Sequence, residues 1–334
     1  MGSSALFAGP ARASIIIAAV EILLTGASGF VGSQLLPELL RDGHTVRAMT
    51  REPTRLRAEA PKNARELRVV RGDAVSGEGL AAALAGVELA YYLIHSMEPG
   101  AGTGAHGFVE RELLAAENFA QAARAAGVRR IVYLGGLAPR WGPRSARSRH
   151  LASREAVESV LLAAVPDSLA LRASIVIGAR SRSFRLLVRL VERMPVLTLP
   201  AWQRFRTQPI DERDVIAMLR AAALSEIAGE VLEIGGPDVL SYGEMLERIA
   251  EAMLVGRPAL RLRVSMTPVA GRLAAAIAAE QPELVLPLME GLQGDLLARE
   301  DHAAERLGVR LHSFDSAVEH ALAEWERDEP LAAR

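Results

Sequence analysis

The chain has 334 residues, half of them hydrophobic, and a formal net charge of −1. This length and apolar content predict one large α/β domain, or one domain with a smaller lobe. The balanced charge implies no basic face, so nucleic acid and anionic membranes are not expected partners. The chain has no cysteine, which excludes disulfides, thiol catalysis and cysteine-bound metals and fits a cytoplasmic protein.

Residues 1–19 precede the first predicted strand, and we interpret them as an N-terminal extension. An apolar run begins at Ile15 but is interrupted by Glu21, far short of the roughly 20 apolar residues that span a bilayer. A signal peptide is the less favoured alternative, because Arg12 is the only basic side chain ahead of the run. We therefore expect no integral membrane segment.

The stretch over residues 20–32 is the most informative in the chain. A short apolar run leads into three spaced glycines, and an apolar-periodic segment follows, which predicts a strand, a tight turn and a helix. The glycines permit the tight turn, let a phosphate approach the backbone and let the helix pack closely on the strand. The unpaired N–H groups at the start of the helix favour binding of a pyrophosphate. The alternative is a structural turn without a ligand. The predicted dinucleotide-binding residues are Gly26, Ala27, Ser28, Gly29, Phe30, Val31 and Gly32.

Strands and helices alternate beyond this turn, with mostly short connections. Further strands are predicted over residues 45–50, 67–70, 89–94, 129–134 and from 169, with helices over 80–84, 106–126 and 153–164. This alternation predicts a Rossmann-type, doubly wound parallel sheet. His44, in the loop before the second strand, is expected at the surface.

The regularity loosens beyond about Ser174, where prolines divide the chain into short extended pieces and the remainder is mostly helical. We therefore predict an NAD(P)-binding Rossmann domain over residues 20–173. A smaller, mostly helical C-terminal lobe on the substrate side is predicted over residues 174–330, with sheet elements near 207–235 returning to the Rossmann domain.

The end of the second strand bears on the phosphate preference of the cofactor. An arginine there accommodates a 2′-phosphate and favours NADP, whereas a carboxylate binds a ribose hydroxyl and favours NAD. Arg47 and Arg51 lie at this edge and Glu52 follows. Arg51 is best placed, because its planar fork can pair two phosphate oxygens, so NADP is favoured over NAD.

Candidate contacts also follow the later strands. Asp73, with Ala74 beside it, follows the third strand. Its carboxylate can accept a hydrogen bond from an adenine amino group, or Asp73 can be an ordinary turn residue. Leu93 and His95 end the fourth strand on the cofactor side. On the substrate side we name Ser174 and Trp202, the latter either lining the pocket or packing the lobe.

Several motifs together resemble the extended and atypical short-chain dehydrogenase/reductase superfamily. They are the glycine turn, the Arg51 edge, Gly72-Asp73, residues 171–178, residues 208–215 and residues 235–242. Within that group the segments 91–97 and 133–137 most resemble the NmrA-like and complex I accessory-subunit branches, beside nucleoside-diphosphate-sugar epimerases. The resemblance implies NAD(P)H binding, a small-molecule substrate and a homodimer formed through the helices after the fourth and fifth strands.

The chain departs from this superfamily in its catalytic residues. Active members use a serine after the fifth strand and a tyrosine four residues before a lysine, whereas this chain has Gly135-Gly136 and its only lysine is Lys62. The nearest equivalent of the tyrosine–lysine pair is His150 with Arg154, which the helical spacing places on one face. His150 is a candidate general acid or base, and the alternative is a helix-start residue beside a surface or cofactor contact.

The sequence favours an NADP-dependent oxidoreductase or epimerase-like enzyme without the usual serine, tyrosine and lysine. The alternative is a non-catalytic NAD(P)H-binding sensor or an assembly or regulatory subunit. No metal site is predicted, because no His/Asp/Glu cluster has ligand spacing along the chain. The basic segment over residues 180–193 is interpreted as a solvated helix face, or else as a surface for an anionic substrate, a membrane or a partner.

Overall fold

The structure is a computed structural model that describes residues 19–59, 65–95, 105–139, 149–262, 294–299 and 302–329. Residues 1–18, nearly all of the predicted extension, lie outside the described part. Among the helices that the structure does describe, none is both long and apolar enough to cross a bilayer.

A seven-stranded parallel sheet forms the centre of the fold, in the order β3-β2-β1-β4-β5-β6-β11. Its strands are β1 (Glu21–Thr25), β2 (Thr45–Thr50), β3 (Leu67–Arg71), β4 (Leu89–Tyr92), β5 (Arg130–Gly136), β6 (Leu169–Ala173) and β11 (Glu230–Ile234). The order reverses between β1 and β4, and open α/β sheets bind ligands at such a switch point. The doubly wound Rossmann-type sheet predicted from the sequence is confirmed.

Helices cover both faces of this sheet. They are α1 (Phe30–Arg41), α2 (Pro53–Glu59), α3 (Leu80–Leu84), α4 (Ala105–Ala125), α5 (Arg149–Ala164) and α7 (Glu212–Leu224). Alternate residues of β1 supply the two cores, because successive side chains of a strand point to opposite faces. Ile22 and Leu24 pack with α1 and α7, whereas Leu23 packs with α3, α4 and α5.

The later part of the chain builds a separate hydrophobic core, formed by α6 (Arg182–Arg193), α8 (Tyr242–Ala252) and α10 (Phe314–Asp328). Short elements complete it: β7 (Val176–Ile177), β8 (Leu197–Leu199), β9 (Arg206–Thr207), β10 (Ile210–Asp211), β12 (Leu240–Ser241), β13 (Ala259–Arg261) and α9 (Ala303–Arg306). The basic segment thus becomes α6, an amphipathic helix whose buried face includes Phe184 and Val188. The predicted helical C-terminal portion is confirmed.

The prediction for His44 is wrong. Its side chain is buried, and its Nδ1 accepts a 3.5 Å hydrogen bond from the backbone N–H of Val20. Burial lowers the pKa of the imidazole, because the charged form loses its hydration. The loop that holds His44 packs against the start of β1, which the local sequence does not reveal.

Candidate functional site

The glycine turn between β1 and α1 has the backbone geometry that its sequence predicts. Gly26 has φ +67°, and a Cβ added there would lie 2.5 Å from the carbonyl oxygen of Leu93. A side chain at this position is therefore excluded by both conformation and space. The N–H of Gly29 donates to the carbonyl of Gly26 at 2.9 Å and closes the turn.

Close packing of helix on strand depends on Gly32. A Cβ there would lie 2.2 Å from the carbonyl oxygen of Gly26. Gly29 is the N-cap residue of α1 and makes no side-chain cap hydrogen bond, so N–H groups of the first turn remain open to an anion. We call Gly26, Gly29 and Gly32 the glycine cradle, and it fits the pyrophosphate of a dinucleotide.

Thr25 fixes the strand beside the cradle. Its buried hydroxyl donates to the carbonyl of Tyr91 at 2.9 Å and accepts from the N–H of Leu93 at 3.0 Å. These bonds join the ends of β1 and β4 and hold the Leu93 backbone against Gly26. Leu93 is itself buried, so its contribution to this edge is made by its main chain.

The end of β2 presents Arg51 and Glu52, both exposed. The N–H of Glu52 donates to the hydroxyl of Thr50 at 3.2 Å, which orders the turn below the two side chains. Arg47 is excluded from this edge, because its guanidinium donates to the carbonyls of Ala82, Ala83 and Ala85 and to the carboxylate of Glu21.

The end of β3 is a compact turn. The Asp73 carboxylate accepts from the N–H of Val75 at 2.8 Å. Ala74 is buried, and its carbonyl accepts from the Asn118 side chain at 3.0 Å. Asp73 thus has the turn-forming role that the sequence left open, and its contact with adenine stays a prediction.

Residues 26–167 match the family model described as NAD(P)H-binding. Over these residues, which are less than half of the chain, the protein is similar to NAD(P)H-binding proteins. The matched residues extend from the glycine cradle past α5 and include every cofactor-side candidate. This match supports the predicted resemblance to the short-chain dehydrogenase/reductase superfamily over the matched residues.

Two curated relatives match a limited part of the chain. A 3-beta-hydroxysteroid dehydrogenase of Mycolicibacterium neoaurum is 36% identical over 118 residues, which are 34% of this chain and 31% of that protein. A 3 beta-hydroxysteroid dehydrogenase/Delta 5-->4-isomerase of Mycobacterium tuberculosis is 32% identical over 118 residues, 34% of this chain and 30% of that protein. The chain thus spans less than a third of the length of these relatives.

Solved structures match over most of the chain. A nucleoside-diphosphate-sugar epimerase from Staphylococcus aureus has a TM-score of 0.71 at 15% identity, covering 90% of this chain and 99% of that one. The UDP-glucuronic acid 4-epimerase from Bacillus cereus, in complex with UDP-glucuronic acid and NAD, has a TM-score of 0.68 at 18% identity, covering 92% and 99%. At these identities the likeness shows the fold alone.

The predicted catalytic residues His150 and Arg154 lie near the end of β5 and the start of α5. Arg154 reaches the end of β5, where a Cβ on Gly136 would lie 3.2 Å from its guanidinium. The Nε of Arg154 is buried and has no hydrogen-bond partner. His150 lies in the first turn of α5, and its side chain lies outside the described part of the structure.

All four tyrosines of the chain are buried, with at most 2% of the residue exposed. Burial raises the pKa of the phenols of Tyr91, Tyr92, Tyr133 and Tyr242. A catalytic tyrosine needs the opposite shift and access to substrate. The Tyr133 hydroxyl instead donates to the carbonyl of Arg154 at 3.3 Å, so these side chains support the sheet and the lobe.

His95 is exposed just after β4, and its ring lies 6.5 Å from that of Tyr133, edge to face.

Ser174 and Trp202 are the residues predicted on the substrate side. The Ser174 hydroxyl shares a 2.9 Å hydrogen bond with that of Thr207, and both of these residues are buried. Trp202 is buried against Tyr242 with ring centroids 6.1 Å apart. Trp202 thus packs the lobe, the second of its two predicted roles, and contact of either residue with substrate stays a prediction.

One residue near the cradle was not identified from the sequence. The exposed guanidinium of Arg180 donates to the hydroxyl of Ser33, in the first turn of α1, at 2.9 Å. This contact adds positive charge beside the predicted pyrophosphate position. The two residues are 147 positions apart, and no local sequence signal connects them.

Proposed function

We propose that the protein is an NADP-dependent oxidoreductase or epimerase-like enzyme that acts on a small organic substrate. The glycine cradle carries this proposal, because Gly26 and Gly32 let the turn and α1 pack too closely for any side chain, and the Gly29 N-cap leaves N–H groups of the first turn of α1 open to a pyrophosphate. The cofactor supplies or accepts a hydride when bound, and the chain's own groups bind and orient it.

Two arginines support binding of a phosphorylated dinucleotide. Arg51 is exposed at the end of β2. Its fork suits a 2′-phosphate, which is the basis of the NADP preference. Arg180 stands at the start of α1, where it serves the pyrophosphate common to NADP and NAD.

The names of the relatives favour a substrate with a hydroxyl or keto group on a ring. One group consists of hydroxysteroid dehydrogenases and the other of nucleotide-sugar epimerases. Both names imply chemistry at a hydroxyl-bearing carbon, so we infer a secondary alcohol or ketone as the reacting group. The buried pair Trp202 and Tyr242 packs inside the C-terminal part of the chain.

The proton in such a reaction is assigned to His150, because the buried tyrosines are unsuited to it. An imidazole exchanges protons near neutral pH. Arg154 keeps its proton and so cannot relay one. Its buried, unpartnered Nε beside Gly136 instead suits binding of a ribose or substrate hydroxyl at the usual lysine position.

A non-catalytic NAD(P)H-binding sensor or assembly subunit is the second candidate. The observation that favours it is the burial of all four tyrosines together with glycine at the usual serine position. Such a protein would keep the cradle and the arginines and would need no proton donor. A homodimer through α4 and α5 and a cytoplasmic location also stay predictions.

Turnover assays on the purified full chain distinguish the two candidates. Binding of NADPH and NADH is measured first by calorimetry. Cofactor oxidation is then followed with a panel of steroid ketones, quinones and aldehydes, and UDP-sugars are analysed by chromatography for epimerised product, because epimerisation leaves the cofactor unchanged overall. We expect NADPH-dependent turnover of at least one ketone. His150→Ala is expected to slow it about 100-fold or more, whereas His302→Ala, at an exposed histidine elsewhere in the chain, leaves it unchanged.

Each outcome bears on a different statement. Tight NADPH binding without turnover of any substrate favours the sensor. Turnover that survives His150→Ala removes the role of His150 but keeps the enzyme. No binding of either dinucleotide contradicts both candidates.

A further inference from the structure

Glu212 is the first residue of α7, and its carboxylate is buried between three helices. Its side chain is only 3% exposed. One carboxylate oxygen, Oε2, accepts a 2.7 Å hydrogen bond from the Gln34 side chain on α1. The other oxygen, Oε1, is buried and has no hydrogen-bond partner. A buried carboxylate oxygen without a donor is unfavourable, which points to a missing ligand.

The unpartnered oxygen faces two side chains on α10. The Nε2 of His320 lies 3.9 Å from Oε1 of Glu212 and 4.0 Å from Oε2 of Glu324. One ligand atom from each of the three residues lies within 4.8 Å of the other two. His320 and Glu324 are four residues apart, so α10 presents them on one face.

The charge of this cluster is not balanced by an arginine. Within the described ranges, no arginine forms an ion pair with Glu212 or Glu324, and the nearby Arg213 is bound to Asp211. Two carboxylates this close require a proton or a cation between them.

We propose that Glu212, His320 and Glu324 bind a divalent transition-metal ion. One imidazole and two carboxylates form a donor set suited to Zn²⁺ or Mn²⁺. Gln34 donates to Oε2 of Glu212, leaves Oε1 for the ion, and so orients this ligand from the second coordination sphere. The partial exposure of His320 and Glu324 leaves room for water as a further ligand.

The distances allow coordination after a small closure. An ion about 2.1 Å from each donor holds tetrahedral ligands about 3.4 Å apart, so the two distances from His320 must shorten by roughly half an ångström and the separation of the two carboxylates by no more than about 1.4 Å. His320 and Glu324 are 39% and 34% exposed and can rotate, while the packed Glu212 stays in place. The ion would join α10, near the end of the chain, to α7 and, through Gln34, to α1.

Metal titration of the untagged, chelator-treated full chain tests the proposal. ZnCl₂ and MnCl₂ are titrated separately by calorimetry, and thermal unfolding is recorded with and without each ion. We expect one ion per chain and a raised Tm with at least one metal, because an ion that binds only the folded state stabilises it. His320→Ala and Glu324→Gln are each expected to weaken binding about tenfold or more.

Glu319→Gln is the matched control, since it removes the same charge from an exposed position on the same helix. It is expected to bind the ion as the unaltered chain does. The variants at His320 and Glu324 change half-buried side chains, so the test does not depend on the folding of a Glu212 variant. The proposal is overturned if the unaltered chain takes up neither ion, which leaves a shared proton, or if all three variants bind equally.

Discussion

Replacing Gly32 by alanine tests the cradle most directly. The added Cβ would lie 2.2 Å from the carbonyl oxygen of Gly26, 2.8 Å from its carbonyl carbon and 2.9 Å from the Cα of Ala27. Ordinary contact begins at 3.4 Å, so the backbone of the turn must move by about 1 Å to relieve the overlap. All three atoms belong to the main chain, and no side-chain rotation can accommodate the methyl group.

This displacement separates the turn from the first N–H groups of α1, which must act together on a pyrophosphate. One hydrogen bond to a charged group contributes about 1.5–3 kcal/mol. Losing one therefore raises the Kd roughly 10- to 150-fold. We expect this loss for NADPH and NADH alike, measured by calorimetry on protein whose fold is confirmed by circular dichroism.

Two other glycines provide controls. Gly256→Ala adds a methyl group in open space at ordinary φ, so it is expected to change neither binding nor stability. Gly43→Ala also meets no atom but has φ +85°, so it is expected to lower stability by about 1 kcal/mol without changing binding. Unaltered dinucleotide affinity in folded Gly32→Ala would refute the reasoning that places the pyrophosphate at this turn.

Three further predictions concern charge. Arg51→Ala is expected to weaken the binding of NADPH about tenfold and to change the binding of NADH little. Arg129→Ala, just before β5 at the amino end of the strands, is expected to change the binding of neither cofactor. Equal losses for both cofactors would contradict the 2′-phosphate role of Arg51. Arg180→Ala is expected to weaken both dinucleotides to the same extent by calorimetry, because it stands at the start of α1, and a loss confined to NADPH would count against this. The free energy of unfolding, measured by urea titration, is expected to decrease less below pH 6.5 in His44→Leu than in the unaltered chain. The same decrease in both proteins would refute this prediction. Burial lowers the pKa of His44 in the folded state. As the pH falls, the unfolded chain therefore binds the proton first, and the unfolded state is stabilised relative to the folded state.

The cofactor side of the site was predictable because its signals are local. The glycines at 26, 29 and 32 lie between a strand pattern of apolar residues and a helical pattern of apolar residues. The structural role of each glycine depends on neighbours within a few residues or on the adjacent strand. The parallel sheet followed from the same alternation of strands and helices. Helix starts were less accurate: α5 begins at Arg149 rather than Ser153, since no proline or capping box marks its first turn.

Features that depend on distant contacts were not predictable. His44 is buried because β1 begins beside it, whereas its own loop is polar. Arg180 meets Ser33 only because the lobe folds back on α1. Glu212 and His320 converge from different helices, so ligand spacing along the sequence gave no sign of a metal site. Burial and convergence are tertiary properties, and a single sequence carries little information about them.

The pH dependence of turnover tests which side chain exchanges the proton. With every tyrosine buried and its pKa raised, a phenol is unsuited to exchange the proton, and an arginine side chain is a poor proton relay. An imidazole remains, and imidazoles titrate near pH 6.5. We therefore expect kcat to change about tenfold between pH 5.5 and 7.5, and to lose that dependence in His150→Ala. A rate that instead rises only above about pH 9 would indicate a phenol and would contradict the assignment of the proton to His150.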